Sequence, residues 1–187
     1  PANWNTGVPA EGDPLTFGAV GALRTVNTND FLAGTAFGGV AFSEDGVYTL
    51  GGNAVRLAGT VVNHTTNNQT MTLPVAMDGG WCTFYTKSGD MTVQSAISDS
   101  GGGEGLAKSG DWTLTLNGEN TYNGGTAVNA GLVRLGNTNA LGSATGALTM
   151  GGGSLQLNGN SVAVGSMSGN GTIENVSDTA VLLSVNQ

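Results

Sequence analysis

The chain has 187 residues, a net charge of −8 from 13 acidic and 5 basic side chains, 33 glycines, 4 prolines and one cysteine. Its hydrophobic content of 39% is too high for a disordered tail, and the glycines follow no three-residue period, so a collagen helix is excluded. The basic residues Arg24, Arg56, Lys87, Lys108 and Arg134 are scattered, whereas nucleic acids and anionic membranes call for clustered cations. Neither is an expected partner, and the acidic excess reads as a solubility device. Cys82 cannot form an internal disulfide; between Trp81 and Thr83-Phe84-Tyr85 it reads as a small buried hydrophobe in a strand. No apolar run reaches the length of a membrane helix, so no membrane insertion by this segment is expected. The chain opens on Pro1 without a signal peptide and reads as a processed form or a piece of something longer.

Taken in chain order, the elements are short strands. Val47 to Leu50 precedes Gly51-Gly52-Asn53 and then Val55-Arg56-Leu57. Met71-Thr72-Leu73, Cys82 to Tyr85 and Met91-Thr92-Val93 follow, and then Trp112 to Leu116, in which apolar residues alternate with Thr. Val133-Arg134-Leu135, Leu148-Thr149-Met150, Leu155-Gln156-Leu157, Val162-Ala163-Val164 and Val181 to Val185 complete the series. Period-two alternation puts every second residue on one core. No segment keeps helical periodicity, because Gly interrupts almost every window. The connections repeat as well: Leu116-Asn117-Gly118, Leu135-Gly136-Asn137 and Leu157-Asn158-Gly159 each follow a strand. Gly and Asn tolerate left-handed backbone, so one turn made again and again predicts a coil that stacks on the coil before it.

Residues 105 to 137 carry the densest pattern. It comprises Lys108, Gly110, the strand Thr113-Leu114-Thr115-Leu116, Asn120-Thr121-Tyr122, Gly124-Gly125-Thr126, Val128, Gly131 and Leu135-Gly136-Asn137. The segment resembles the autotransporter-associated β-strand repeat of bacterial surface-protein passengers. The resemblance continues through Ala140-Leu141-Gly142 and Gly152 to Leu157, and then through Ser168 to Ile173, so that it spans about 105–175. Trp4, Pro9, Gly12-Asp13 and Leu15-Thr16-Phe17 resemble the opening of such arrays, which makes residues 1–40 a candidate N-terminal cap or first coils ahead of a solenoid over 41–187. The signature occurs once, and the long alternating strands expected of a translocator barrel are not read in these residues before Gln187. The resemblance implies an all-β, right-handed parallel β-helix (β-solenoid) that projects from the cell, with no catalytic, metal or cofactor residues.

The residues themselves support a passive role for the motif. Leu114, Leu116, Val133 and Leu135 can face inward while Thr113, Thr115 and Arg134 face out. Tyr122 is expected to cover a corner of the coil with its hydroxyl on a backbone group. Gly124 and Gly125 would let neighbouring backbones approach, and the Asn120 amide would bond the backbone.

Enzyme chemistry finds few parts. His64 is the only histidine and lacks Cys or His partners at metal spacing. Ser and Thr are plentiful but have no local base. Among carboxylates, Glu44 and Asp45 would face opposite ways, Glu11 and Asp13 could share a face, and Asp99 and Glu104 flank Gly101-Gly102-Gly103. A glycosidase needs two carboxyls across a cleft, and a pair could form between coils. The glycine run lacks the Gly-Lys-Ser/Thr ending of a phosphate loop. The Asn-x-Ser/Thr sites at Asn63, Asn68, Asn170 and Asn175 read as accidental.

Three functions compete. The first is a non-enzymatic structural or adhesive segment of a secreted or cell-surface protein, with a surface glycan or host receptor as candidate partner. The second is the subunit of an extracellular fibre, whose open ends meet neighbouring coils or copies of the same chain. The third is a polysaccharide-active β-helix enzyme.

Overall fold

The computed structural model describes residues 8–18, 26–44 and 46–186. Trp4, Arg24 and Asp45, singled out above, lie outside the described residues. The described chain winds through eight coils, and no helix occurs among the described residues. The first coil contains β1 (Pro14–Phe17), β2 (Val26–Asn29) and β3 (Thr35–Phe37), and the second β4 (Gly39–Phe42), β5 (Thr49–Gly52) and β6 (Val55–Leu57). The third contains β7 (Val61–Asn63), β8 (Gln69–Met71) and β9 (Val75–Met77), and the fourth β10 (Cys82–Thr86), β11 (Met91–Val93) and β12 (Ile97–Asp99). The fifth has β13 (Leu106–Ser109) and β14 (Thr113–Leu116), and the sixth β15 (Thr126–Val128) and β16 (Leu132–Leu135). The seventh contains β17 (Ala147–Met150), β18 (Ser154–Gln156) and β19 (Val162–Val164), and the last β20 (Ser166–Gly169), β21 (Thr172–Glu174) and β22 (Leu183–Val185).

Strands of successive coils pair in parallel and build three faces. The first is an eight-stranded sheet, β1-β4-β7-β10-β13-β15-β17-β20, and the second an eight-stranded sheet, β2-β5-β8-β11-β14-β16-β18-β21. The third face is divided into β3-β6-β9-β12 and β19-β22. In the fifth and sixth coils it has no strand, and the repeat's Asn120-Thr121-Tyr122 and residues 137–142 occupy its place. This is a β-solenoid whose rungs recur every 20–25 residues or so, a spacing typical of repeat architectures.

The alternation read from sequence decides which side chains fill it. Leu114, Leu116, Val133, Leu135, Leu155 and Leu157 are all buried, while Thr113, Thr115 and Gln156 are half-buried and Arg134 is exposed. Register stacks them, Leu114 on Val133 and Val133 on Leu155. A parallel stack of this kind gains from burying apolar surface on every rung. Leu116→Ala should therefore cost about 2–5 kcal/mol in a denaturant titration, as large-to-small core changes do.

Two sequence expectations change. The strand read at Val47 to Leu50 shifts to Thr49–Gly52, leaving Val47 exposed. Gly51 and Gly52, placed after that strand in the sequence reading, instead belong to it and pair in register with Thr28 and Asn29. The three Asn-Gly corners are also unlike one another. Only Asn158-Gly159 takes left-handed backbone, with φ of 50° and 81°. At Gly118 and Gly136 the need is for space, since a Cβ would strike the Ser95 carbonyl in one case and the Asn117 side chain in the other. Coil-to-coil proximity, not turn conformation, accounts for those two glycines.

The two ends differ. Leu15 and Phe17 in the first coil are buried, and the Phe17 and Phe42 rings stack with centroids 5.7 Å apart. The 1–40 segment contributes β1 to β3, which pair with the second coil like any later rung, and its residues 1–7 and 19–25 lie outside the described residues. In the last coil, Met167, the in-register partner of fully buried Leu148, is 43% exposed.

Candidate functional site

The densest chemistry in the sequence is the pattern from Lys108 to Gly136, and the fold turns nearly all of it inward. Lys108 sits in the inward column Val40, Val61, Phe84, Lys108, Val128, Met150, where every other member is apolar. It is completely buried. Its Nζ donates to the carbonyls of Ser109 at 3.0 Å, Gly110 at 2.7 Å and Ala130 at 3.0 Å. All three ammonium donors are thus used, which is what a buried cation requires. Burial pushes the Lys108 ammonium down to about 8, opposed by the negative charges of Asp111 and Asp90. Gly131, with φ 64°, has no side chain where a Cβ would lie 2.8 Å from that Nζ. Gly110, which supplies one of the carbonyls, also carries positive φ.

The other motif residues bridge the gap in the third face. The Asn120 side chain accepts from the Ile97 amide of the coil before at 2.8 Å and donates to the Ala140 carbonyl of the coil after at 2.6 Å. One amide side chain therefore makes the bonds a strand would have made there. Tyr122 is fully buried, with its hydroxyl 2.7 Å from that of Thr126, which donates on to the Leu141 carbonyl at 3.2 Å. Burial raises the Tyr122 pKa well above its ordinary value. The hydroxyl also donates to the Ala140 carbonyl at 3.4 Å, the backbone partner expected from sequence, while the nearer partner is the Thr126 side chain. Gly124 is half-buried between coils, and Gly125 meets Ala147 of the next rung. Thr126, Val128 and Leu135 line the core, and in the second face Leu116 stacks on Leu135 and Leu114 on Val133. Gly136 closes the repeat at an exposed corner.

Sequence reasoning missed a buried polar cluster at the corner beside the Lys108 column. Asn63, Thr65, Gln69 and Thr86 are buried at the corner between the first two faces. Asn63 donates to the carbonyls of Asn67 and Asp90, Gln69 to those of Gly46 and Asn67, and Thr86 to that of Trp112. The available signal was phase: Asn63 and Thr86 end their strands at positions in step with inward residues.

His64 is exposed, and no group of three His, Cys, Asp or Glu side chains suited to a metal ion forms among the described residues. Glu104 accepts from the Gly102 amide and the Ser100 hydroxyl. Its own amide, with further help from Gly102 and Ser100, holds its carboxyl below the usual range. A general acid needs the opposite shift. Asp99 is engaged by the amides of Gly101 and Asn123. Asn63, read as an accidental sequon, is wholly buried.

Cys82 is buried with its thiol toward the Gly59 carbonyl, and burial pushes it up to about 12. The folded thiol therefore stays protonated at neutral pH, and thiolate is the reactive form. Labelling by an alkylating reagent at pH 8 is expected only through unfolding, with a rate that rises in step with denaturant. Rapid labelling of the native chain would contradict this burial.

Residues 106–135 match the family described as the passenger-associated-transport-repeat. The adhesin BmaC autotransporter of Brucella suis biovar 1 (strain 1330) is 34% identical over 140 residues, which cover 69% of this chain and 4% of that protein. No solved structure matches the chain. The ladder that Lys108, Asn120, Tyr122 and Thr126 hold together is thus a passenger-associated repeat, and the chain is a member of the family that carries it.

Proposed function

We propose that the chain is a stiff, non-catalytic segment of an autotransporter-like protein, displayed outside the bacterial cell and serving adhesion. The observation that carries this reading is that the motif's polar side chains are spent on internal bonds, within a coil and between neighbouring coils. Lys108, Asn120 and Tyr122 face inward and are saturated there. A motif built this way stiffens a rod, and the outer faces remain for contact. Likeness to a protein named an adhesin supports the adhesive half, although the chain spans only 4% of that protein. Beads coated with the chain should adhere to cultured host cells more than beads coated with an unrelated acidic protein. Equal retention would sink the adhesive half. Turnover of an acidic or neutral polysaccharide that disappears in Asp99→Asn or Glu104→Gln would sink the non-catalytic half.

A second reading, association through the open end, is favoured by the last coil. Met167, Ile173, Leu183 and Val185 hold inward register positions opposite Leu148, Leu155, Val162 and Val164, yet each retains exposure that its partner lacks. Uncovered strand edges and core side chains fit a further coil, from the parent polypeptide or from a second copy. Sedimentation over a wide concentration range is expected to give a rising mass that Met167→Glu lowers. A strictly monomeric chain throughout would remove this reading.

A further inference from the structure

The outer side of the first face carries an aromatic strip that none of the coil-to-coil bonding explains. Along β10 the inward residues are Cys82, Phe84 and Thr86, so Trp81, Thr83 and Tyr85 point outward. Trp81 is 52% exposed. A Cβ built on Gly105, in the next coil, would lie 2.9 Å from each of three consecutive atoms of the Trp81 six-membered ring, Cε3, Cζ3 and Cη2. A point equidistant from three atoms of a hexagon lies on the axis through its centre. The indole is therefore laid face-down across Gly105, and about half of the residue stays open to solvent. The Tyr85 ring reaches toward Gly110 in the same coil. Between them Ala107 faces outward and yet is buried.

Register extends this floor from Thr83 through Ala107, Ala127 and Thr149 to Ser168. All are small, and the hydroxyls of Thr83, Ser109 and Thr149 punctuate the surface. Trp81, Thr83, Tyr85, Gly105, Ala107 and Ser109 include no charged residue, in a chain of net charge −8. An aromatic face carries negative quadrupole density and attracts partially positive hydrogens. A pyranose ring presents C–H hydrogens on its face and hydroxyls around its rim. The chemistry of the strip matches both.

We propose that Trp81, lying on Gly105, is the stacking platform of a binding site for a neutral oligosaccharide, with Tyr85 as a second contact and Thr83 and Ser109 as hydrogen-bonding neighbours. Trp81, just before β10, and Tyr85 within it are four residues apart along extended chain, about 13 Å at the usual rise, a separation suited to an oligosaccharide rather than a single sugar. The proposal deepens the adhesive reading, on which it rests for its biological setting alone.

The test is titration of the whole chain with neutral gluco-oligosaccharides and N-acetylglucosamine oligosaccharides. It is followed by the indole N–H signals in NMR and by tryptophan emission. Saturable binding that perturbs the Trp81 signal is expected. Trp81→Ala should weaken binding about tenfold or more, and Trp81→Phe should keep most of it, as loss and partial retention of a stacking face do. Both variants should melt as the parent does, since the indole is outside the core. No saccharide binding, binding indifferent to Trp81→Ala, or capture of a proline-rich peptide by Trp81 in place of sugars would each overturn the proposal. The bead assay separates the two ideas. Beads that adhere equally with and without Trp81 leave the adhesive reading standing and remove this site. Trp81-dependent sugar binding by beads that do not adhere does the reverse.

Discussion

Lys108→Ala is expected to cost about 3–5 kcal/mol in stability, the range for removing one partner of a buried, charge-bonded group. It would empty space in the column between Phe84 and Val128. It would also strip the ammonium from the carbonyls of Ser109, Gly110 and Ala130. Lys108→Met keeps the stem and removes the charge, so it should cost less, because methionine fills the same volume while the carbonyls go without a donor. The pH dependence separates charge from packing. The folded ammonium sits at about 8 against an ordinary 10.5, so between those values the unfolded chain binds the proton more tightly. Stability from this group is therefore lowest below pH 8 and rises as pH climbs toward 10.5. Chemical denaturation at pH 7 and pH 9.5 should thus move the gap between the Lys108 chain and Lys108→Met in favour of lysine. A gap that is constant or moves the other way would contradict a desolvated ammonium at this position.

Gly125→Val should be at least as damaging. Gly125 has φ 91°, and its Cβ would strike the Ala147 carbonyl and lie 2.8 Å from the Ala147 amide nitrogen. Left-handed backbone alone costs a residue with a side chain about 1–2 kcal/mol. Collision with the main chain of the next coil adds to that, and neither coil can yield without breaking the ladder from β15 to β17. A total loss above about 4 kcal/mol, in the exceptional range for single substitutions, is expected from urea titration. Gly101 supplies the control: its φ is 101°, but a Cβ there meets nothing within 4 Å. Gly101→Ala should show the backbone cost alone. If the two variants were equally stable, proximity between coils would not be what Gly125 provides.

The core faces were legible because burial follows alternation, as in Thr113 to Leu116 and Leu132 to Leu135, and a period of two needs no tertiary knowledge. The repeat pattern around Tyr122 was likewise visible as a string of residue types. Lys108 was not legible as a core residue. A lysine is ordinarily a surface charge, and two of the carbonyls that make its burial tolerable belong to Gly110 and to Ala130, the latter 22 residues beyond the lysine. The gap in the third face was hidden for a similar reason. Asn120 and residues 137–142 read locally as turn chemistry, and only the coils before and after reveal that one amide joins Ile97 to Ala140. The upturned face of Trp81 depends on Gly105 in the neighbouring rung. What escaped the sequence is what lies between coils, where partners are one rung apart and no local pattern names them.

The stacking of successive coils can be measured along one outward column. Thr49, Thr70, Thr92, Thr115, Arg134, Gln156 and Glu174 form one outward column, joined by six successive in-register pairings. At roughly 4.8 Å between neighbouring strands, six rungs span about 29 Å and four rungs about 19 Å. Spin labels at Thr49 and Glu174, and in a second sample at Thr92 and Glu174, measure these spans by pulsed dipolar spectroscopy. Two narrow distributions whose centres differ by about 10 Å, two strand spacings, are the expected result. Broad distributions, or two spans that do not scale with the number of rungs, would contradict a continuous parallel solenoid through the repeat.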